Sequence, residues 1–390
     1  MQRKKVMVFC DYYLPGFKSG GGMWTVVNLV DRFKDDYDFY VVTRNHDGKA
    51  DKRPYELVKT GDWNTVGSAK VFYLNSKQLT VRAFSGLIRD INPNVVFLNS
   101  VFSMPSITFL RSRKHADISK IPVIVSPCGE LAPATLKFKS TKKRVFLKYA
   151  KLTGLYRNVI WRASFELDAD EIRSAIDDDI EVLCAPDLPP KTILPDFDLS
   201  AKPIKTPGSV HFVFVSRLVR KKNLHYLFER LSSFQEGEIV LDIVGPIEDT
   251  EYWKECEAAA RKLPANVKLN VFGPMPYPET LARMQAAHFF VLPTLTENFG
   301  YVFIEALACG SPLLISDRTV WNDVGEKGSG WPVPIEDPAA WDLAIRRCLE
   351  MDQEEYSEMA VAARGHALDW LADPEIEKAS TVLLERASRT

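Results

Sequence analysis

The residues with the greatest chemical capacity lie in the second half of the chain, in Pro293-Thr-Leu-Thr-Glu297-Asn298-Phe299-Gly300-Tyr-Val302-Phe-Ile-Glu305-Ala-Leu-Ala-Cys-Gly310. This stretch follows an apolar run at residues 289–292 and has the spacing of a loop that becomes an amphipathic helix, with Gly310 at its C-terminal stop. Glu297, in the loop, has a carboxylate suited to accept hydrogen bonds from sugar hydroxyls. Backbone N–H groups from Asn298 to Val302 would meet phosphate oxygens at the helix N-terminus. Glu305, about two turns later among Phe303, Ile304, Ala306 and Leu307, is poorly placed as a surface residue and could hold a ribose diol. The plainer alternative is that Glu297 caps the helix and Glu305 is a solvated carboxylate. A second cluster is Phe214-Val-Ser216-Arg217-Leu-Val-Arg-Lys-Lys222-Asn223. Here Arg217 offers a planar fork and Lys222 a point charge to the two phosphates of a diphosphate, or both are simply solvated loop cations. In the first half, Gly20, Gly21 and Gly22 stand between a strand and a helical pattern; they let a ligand approach the backbone closely or form only a tight turn, and the pattern G-x-G-x-x-G is absent.

The elements that must position these residues are strands alternating with helices. Short β-branched and aromatic runs predict strands at 6–10, 39–43, 71–74, 95–98 and 123–126, and again at 211–215, 240–244, 267–271, 289–292 and 312–315. The two sets are separated by Ala185-Pro-Asp-Leu-Pro-Pro-Lys-Thr-Ile-Leu-Pro195 and a polar segment reaching Pro207. The alternation implies βαβ units and two parallel, doubly wound sheets. Ligands of such sheets bind outside the carboxyl ends of the strands, so two facing sheets predict a cleft holding the chemistry. The expected boundaries are a first domain at 1–190, a linker at 191–206, a second domain at 207–370, and a last helix at 371–390.

Composition agrees with an ordinary soluble α/β protein: 390 residues, 46% hydrophobic and 26% charged, with net charge −1. The charge is uneven, with about 30 Lys/Arg against about 23 Asp/Glu in residues 1–200 and the reverse balance afterwards. Six cysteines, Cys10, Cys128, Cys184, Cys256, Cys309 and Cys348, form no C-x-x-C pair, so neither zinc nor a disulfide framework is expected. About five apolar residues precede Asp11, where a signal peptide needs roughly 7–15, and no run approaches the roughly 18 apolar residues of a membrane span. A cytoplasmic location follows as the expectation.

Taken together, these residues resemble glycosyltransferase family 4, the retaining GT-B enzymes. Glu297 and Glu305 with Phe299-Gly300 between them are similar to that family's E-x-F-G-x-x-x-x-E signature, and Ser216-Arg217-Leu218 with Lys222-Asn223 to its G-R-L-x-x-x-K-G. Val271-Phe272-Gly273 matches the loop expected to meet the nucleotide base, and Ala308-Cys-Gly-Ser-Pro312 the segment after the signature helix. Ser126-Pro127-Cys128-Gly129-Glu130-Leu131 with Pro133 and Leu136-Lys137 is similar to the S-P-R-G-x-L-x-P segment of bacterial members that assemble surface polysaccharides. The resemblance implies a GT-B fold whose C-terminal helix crosses back to the first domain, and hexose transfer from UDP- or GDP-sugar to a lipid-linked glycan, without a metal or other cofactor. Arg217 and Lys222 would act on the leaving diphosphate with Glu297 on the donor sugar. Donor binding would fall to Phe272, Asn298, Phe299, Gly300, Val302 and Glu305, with Gly20, Gly21 and Gly22 toward the phosphates and acceptor. Three departures stand out: Ser216 and Asn223 replace glycines, and Cys128 replaces an arginine. No histidine follows the strand at 123–126, which leaves Glu130 as a candidate acceptor-side group beside Lys137.

Residues 137–162 hold about nine Lys/Arg and no acidic residue, interleaved with Phe138, Phe146, Tyr149, Tyr156 and Trp161; this reads as an anionic-membrane face or a plain solvated one, ahead of nucleic acid. The acidic residues Asp168, Asp170, Glu171, Asp177, Asp178 and Asp179 read as the polar face of one helix rather than a metal site. Two competing functions remain: a nucleotide-sugar epimerase, which needs no acceptor, and a nucleotide-sugar-binding protein without turnover.

Overall fold

Runs of β-branched and aromatic residues buried on both faces are the sequence form of parallel strands. In the computed structural model, which describes residues 3–48, 51–137, 140–190 and 198–389, they form two sheets. The first contains β1 (Lys4–Phe9), β2 (Tyr37–Arg44), β3 (Trp63–Val66), β4 (Ala69–Leu74), β5 (Val95–Asn99), β6 (Val123–Ser126), β7 (Ile160–Ala163) and β8 (Val182–Cys184). Their order is β3-β4-β2-β1-β5-β6-β7-β8, and only β3 runs antiparallel to its neighbour. Its core is built from Phe9, Phe84, Phe109, Leu98, Val125 and Trp161. Full burial of such side chains contributes about 1.5–3 kcal/mol each.

The second sheet contains β9 (Ser209–Val215), β10 (Glu238–Val244), β11 (Val267–Gly273), β12 (Phe289–Leu292), β13 (Leu313–Ser316) and β14 (Gly330–Val333). It is wholly parallel, in the order β11-β10-β9-β12-β13-β14. This is the doubly wound order in which the chain reverses its direction of travel between the first strand and the fourth, here β9 and β12. Loops leaving those two strands diverge, and the gap between them is where a ligand can reach the strand ends. The corresponding reversal in the first sheet lies between β1 and β5.

Four strands escape the sequence reading for physical reasons. β3 and β14 are edge strands, and β14 contains Pro332, which only an edge tolerates. β7 carries a buried charge, Arg162, and β8 is three residues long. The helix Glu166–Ile176 is not uniformly polar either: Asp168 is buried and accepts a hydrogen bond from the Ser164 N–H at 2.8 Å, which corrects its assignment to a solvated face.

The chain divides into one unit of Met1–Lys191 with Pro374–Thr390 and another of Thr192–Asp373. The helix Pro374–Ala387 therefore packs with the first sheet, as the family resemblance implied. Leu383 and Leu384 are buried, Arg32 meets Glu377 at 3.1 Å, and the Lys4 ammonium donates to the Ser388 hydroxyl at 3.0 Å. The apolar residues dominate this attachment, since exposed ion pairs contribute little. Linker residues 191–197 and Phe138 lie outside the described residues. Among the described residues, no helix is long and apolar enough to cross a membrane.

Candidate functional site

In the first unit, Gly20 has φ 73° and turns the chain into the helix Gly21–Phe33, a conformation that a side chain would strain. The loop before it is held by Asp47, whose carboxylate accepts from the N–H of Phe17 at 2.9 Å and of Lys18 at 3.2 Å. Beyond it, the Asn99 amide donates to the Gly22 carbonyl at 2.6 Å and its oxygen accepts from the Cys128 thiol at 3.1 Å. Burial and then the charge of Asp187 push that thiol up to about 12, so it stays protonated at neutral pH. Arg162 donates to Ser126 at 3.1 Å and to Asp187 at 3.0 Å, so a buried guanidinium stands close to the position where the family segment has its arginine. Glu130 is tied down: Ser100 Oγ lies 2.9 Å and 2.8 Å from its two oxygens, and the Val101 N–H donates to it at 2.8 Å. Burial raises its carboxyl above the usual range. These bonds make Glu130 the anchor of the loop after β5, whatever further part it plays. The side chain of Lys137 lies outside the described residues.

In the second unit the expected residues converge on the reversal between β9 and β12. Arg217 and the turn Arg220–Lys222 follow β9; Glu297 lies in the loop after β12. The Lys222 ammonium forms an ion pair with Glu297, and both side chains are nearly withdrawn from water. Burial alone would raise the Glu297 carboxyl, but Lys222, then Lys221 and Arg217, outweigh it and hold it at about 2. Arg217 is likewise paired, Nη1 lying 2.8 Å from Glu248 in the loop after β10. The pairing leaves capacity for a ligand. An ammonium has three donors and a guanidinium five, and each carboxylate occupies only part of its partner's set.

The loop from Thr294 to Gly300 is fastened on both sides. The Leu295 N–H donates to the Lys221 carbonyl at 2.8 Å and the Glu297 N–H to the Arg318 carbonyl at 3.2 Å. Gly300, at φ 74°, caps the helix Tyr301–Ala308; a Cβ there would stand 2.6 Å from the Phe303 ring and 2.9 Å from Glu297 Cγ. Asn298 and Val302 flank that turn and are half-buried, whereas Phe299 is buried. Glu305 is buried in the same helix, and desolvation pushes its carboxyl up to about 7. Phe272, at the carboxyl end of β11, packs its ring 3.9 Å from the Arg283 guanidinium carbon. Asn223 has φ 59°, a left-handed conformation that asparagine adopts more readily than other non-glycine residues, which explains how it replaces a glycine.

Residues 197–366 match the model of the family Glycosyl transferases group 1. That stretch takes in most of the second unit. A D-inositol 3-phosphate glycosyltransferase of Corynebacterium urealyticum is 31% identical over 161 residues, covering 40% of this chain and 38% of its own length. The chain thus spans well under half of that relative. Among solved structures, sucrose-phosphate synthase of Thermosynechococcus elongatus superposes with a TM-score of 0.73 at 16% identity, over 98% of this chain and 99% of that one. The Anabaena protein HepE in complex with UDP-glucose does so at 0.67 and 17% identity, over 99% and 100%. The fold is GT-B.

Within the matched stretch, then, Arg217, Lys222, Glu297 and the turn at Gly300 stand together, whereas Gly20, Gly21, Gly22 and Glu130 belong to the other unit. Two partners were missed by sequence reasoning. Glu248 follows a predicted strand, and the rule that ligands gather at carboxyl ends could have singled it out. Trp321, whose indole N–H donates to the Phe299 carbonyl at 2.8 Å, carried no signal. Among the described residues no three His, Cys, Asp or Glu side chains gather as a metal site would require.

The raised Glu305 carboxyl makes a sign-definite prediction. Its folded pKa, about 7, lies above the usual carboxylate value, so the ligand-free fold is favoured while Glu305 is protonated and loses that stability as pH rises to about 7. Thermal unfolding of Glu305→Gln against wild type should show a difference that moves in the variant's favour by about 1–3 kcal/mol between pH 4.5 and 7.5 and then stays flat.

Proposed function

We propose that this chain is a retaining glycosyltransferase that moves a hexose from a UDP- or GDP-sugar to a lipid-linked glycan acceptor in surface-polysaccharide assembly. The observation that carries the reading is the buried Lys222–Glu297 pair beside Arg217 at the strand-order reversal of a group 1 glycosyltransferase domain. In this reading the diphosphate enters the gap between the loops after β9 and β12. Lys222 and Arg217 meet its oxygens with the donors that Glu297 and Glu248 leave available. As the bond from the anomeric carbon to the leaving oxygen lengthens, negative charge grows on the diphosphate, and fixed cations in a poorly hydrated site stabilise it without reorganising. Glu297 contacts the sugar, Glu305 accepts hydrogen bonds from the ribose diol, and Phe272 meets the base. The helix N-terminus at Gly300 adds backbone N–H groups. The acceptor attacks from the face the diphosphate leaves, and its proton passes to that leaving phosphate; configuration is retained. Gly20, Gly21 and Gly22 serve the phosphates and acceptor side.

Two cations held against the diphosphate serve its binding and its departure alike, and turnover with an acceptor separates a transferase from a binding protein without turnover. An epimerase would consume a donor with no acceptor present. The likeness to HepE, whose structure contains UDP-glucose, supports a nucleotide-sugar donor.

The lipid-linked acceptor is supported by the helix Ser140–Thr153. Val145, Tyr149 and Leu152 are 62%, 44% and 88% exposed and fall at i, i+4 and i+7, one stripe of the helix. Lys142 and Lys148 border the stripe and are exposed. An apolar stripe edged by cations suits the inner, anionic face of a membrane, where each basic residue contributes about 1 kcal/mol. The location proposed is cytoplasmic and peripheral, with no role for nucleic acid.

A thermal-shift and turnover panel of UDP-, GDP- and ADP-hexoses tests the donor site. One nucleotide family should raise the melting temperature, and Lys222→Ala should abolish that rise and lower kcat by about 100-fold or more; indifference of the wild type to all three overturns the reading. For the membrane face, wild type should co-float with phosphatidylglycerol vesicles and not with phosphatidylcholine, and the double variant Tyr149→Glu, Leu152→Glu should remain in solution. Equal flotation of the variant would remove the support that this helix gives to a lipid-linked acceptor.

A further inference from the structure

The loop carrying Glu297 is held from the β13 side by a residue with no part in the family signature. Trp321 lies after β13 and is 3% exposed, and its indole N–H donates to the carbonyl of Phe299, midway between Glu297 and the Gly300 turn. Its ring packs 5.4 Å from the Phe299 ring and 5.9 Å from that of Trp370. On its other flank stands His366, 5.8 Å between ring centroids and itself buried. His366 is fixed in turn by the bond between Nδ1 and Ser329 Oγ at 2.9 Å, and its Nε2 lies 3.2 Å from Asp323. Serine, histidine and carboxylate in a row suggest a nucleophile, but Ser329 is fully buried and no substrate carbonyl could reach it. What the row does is lock the ring behind Trp321.

The geometry points to Trp321 as a positioning residue for glycosyl transfer: by holding the Phe299 carbonyl it sets the peptide planes of the Glu297–Gly300 turn, and with them the carboxylate and N–H groups offered to the donor sugar and its phosphate. This rests on the function proposed above. A buried carbonyl that loses its donor is left unpaired, and the turn then rotates toward other partners. A shift of about 1 Å in groups that orient a reacting centre costs on the order of 100-fold in rate. Because the diphosphate cations come from the β9 side, loss of Trp321 should spare binding and impair chemistry.

Trp321→Phe keeps the ring among Phe299, His366 and Trp370 and removes only the N–H. Two measurements on the full chain decide. In amide hydrogen exchange without any donor, residues 297–301 should exchange at least tenfold faster in the variant, with β9–β13 unchanged; unaltered exchange overturns the proposal. With UDP-glucose and GDP-mannose as probes, kcat for donor consumption should fall about 10- to 100-fold while KM stays within about threefold. A kcat within twofold of wild type contradicts the positioning role. A lowered melting temperature with kcat unchanged marks a merely structural tryptophan and overturns it equally. Should wild type consume neither probe, the exchange result still decides whether Trp321 holds the turn, and the failure belongs to the transferase reading.

Discussion

An ammonium withdrawn from water needs compensating partners, and Lys222 finds an opposite charge in Glu297. Isolated burial of either partner would neutralise it or unfold its surroundings. Paired, Glu297 sits far below the usual carboxylate range because three cations converge on it. The pair can form only where the loops after β9 and β12 approach each other, which the strand order β11-β10-β9-β12-β13-β14 guarantees. Topology thus brings together charges that are 75 positions apart in the chain.

Glu305 shows the opposite treatment of the same side-chain type. Among the described residues no cation offsets its burial, which pushes it up to about 7, while Glu297 is driven down. Under the proposed function these divergent acidities suit different tasks: Glu297 would remain a permanent charge near the leaving group, and Glu305 would ionise when hydroxyl donors arrive. The loop between them gains its shape from main-chain bonds to Lys221 and Arg318 and from the Trp321 indole. Rigidity of this kind lets electrostatics act without reorganisation.

Much of this was legible in the sequence. Alternating apolar runs marked ten of the strands, and the family signature named Arg217, Lys222, Glu297 and Glu305 before any geometry. The edge strands β3 and β14 were not legible, because an edge accepts polar residues and proline where a central strand does not. Nor were the counter-charges. Glu248 is an unremarkable loop carboxylate until β10 places it beside β9, and Asp47 is an ordinary polar residue until the glycine loop folds against it. Asn99 acts through two hydrogen bonds and Trp321 through one, and no periodicity records individual bonds. Spacing along the chain reports faces and turns; partners brought together by sheet order have to be seen in three dimensions.

The most direct test of the central claim is a crystal structure of the protein soaked with the nucleoside diphosphate that stabilises it best. Phosphate oxygens should lie within hydrogen-bonding distance of both the Arg217 guanidinium and the Lys222 ammonium, in the gap between the loops after β9 and β12. A diphosphate bound elsewhere, or touching neither cation, would contradict it.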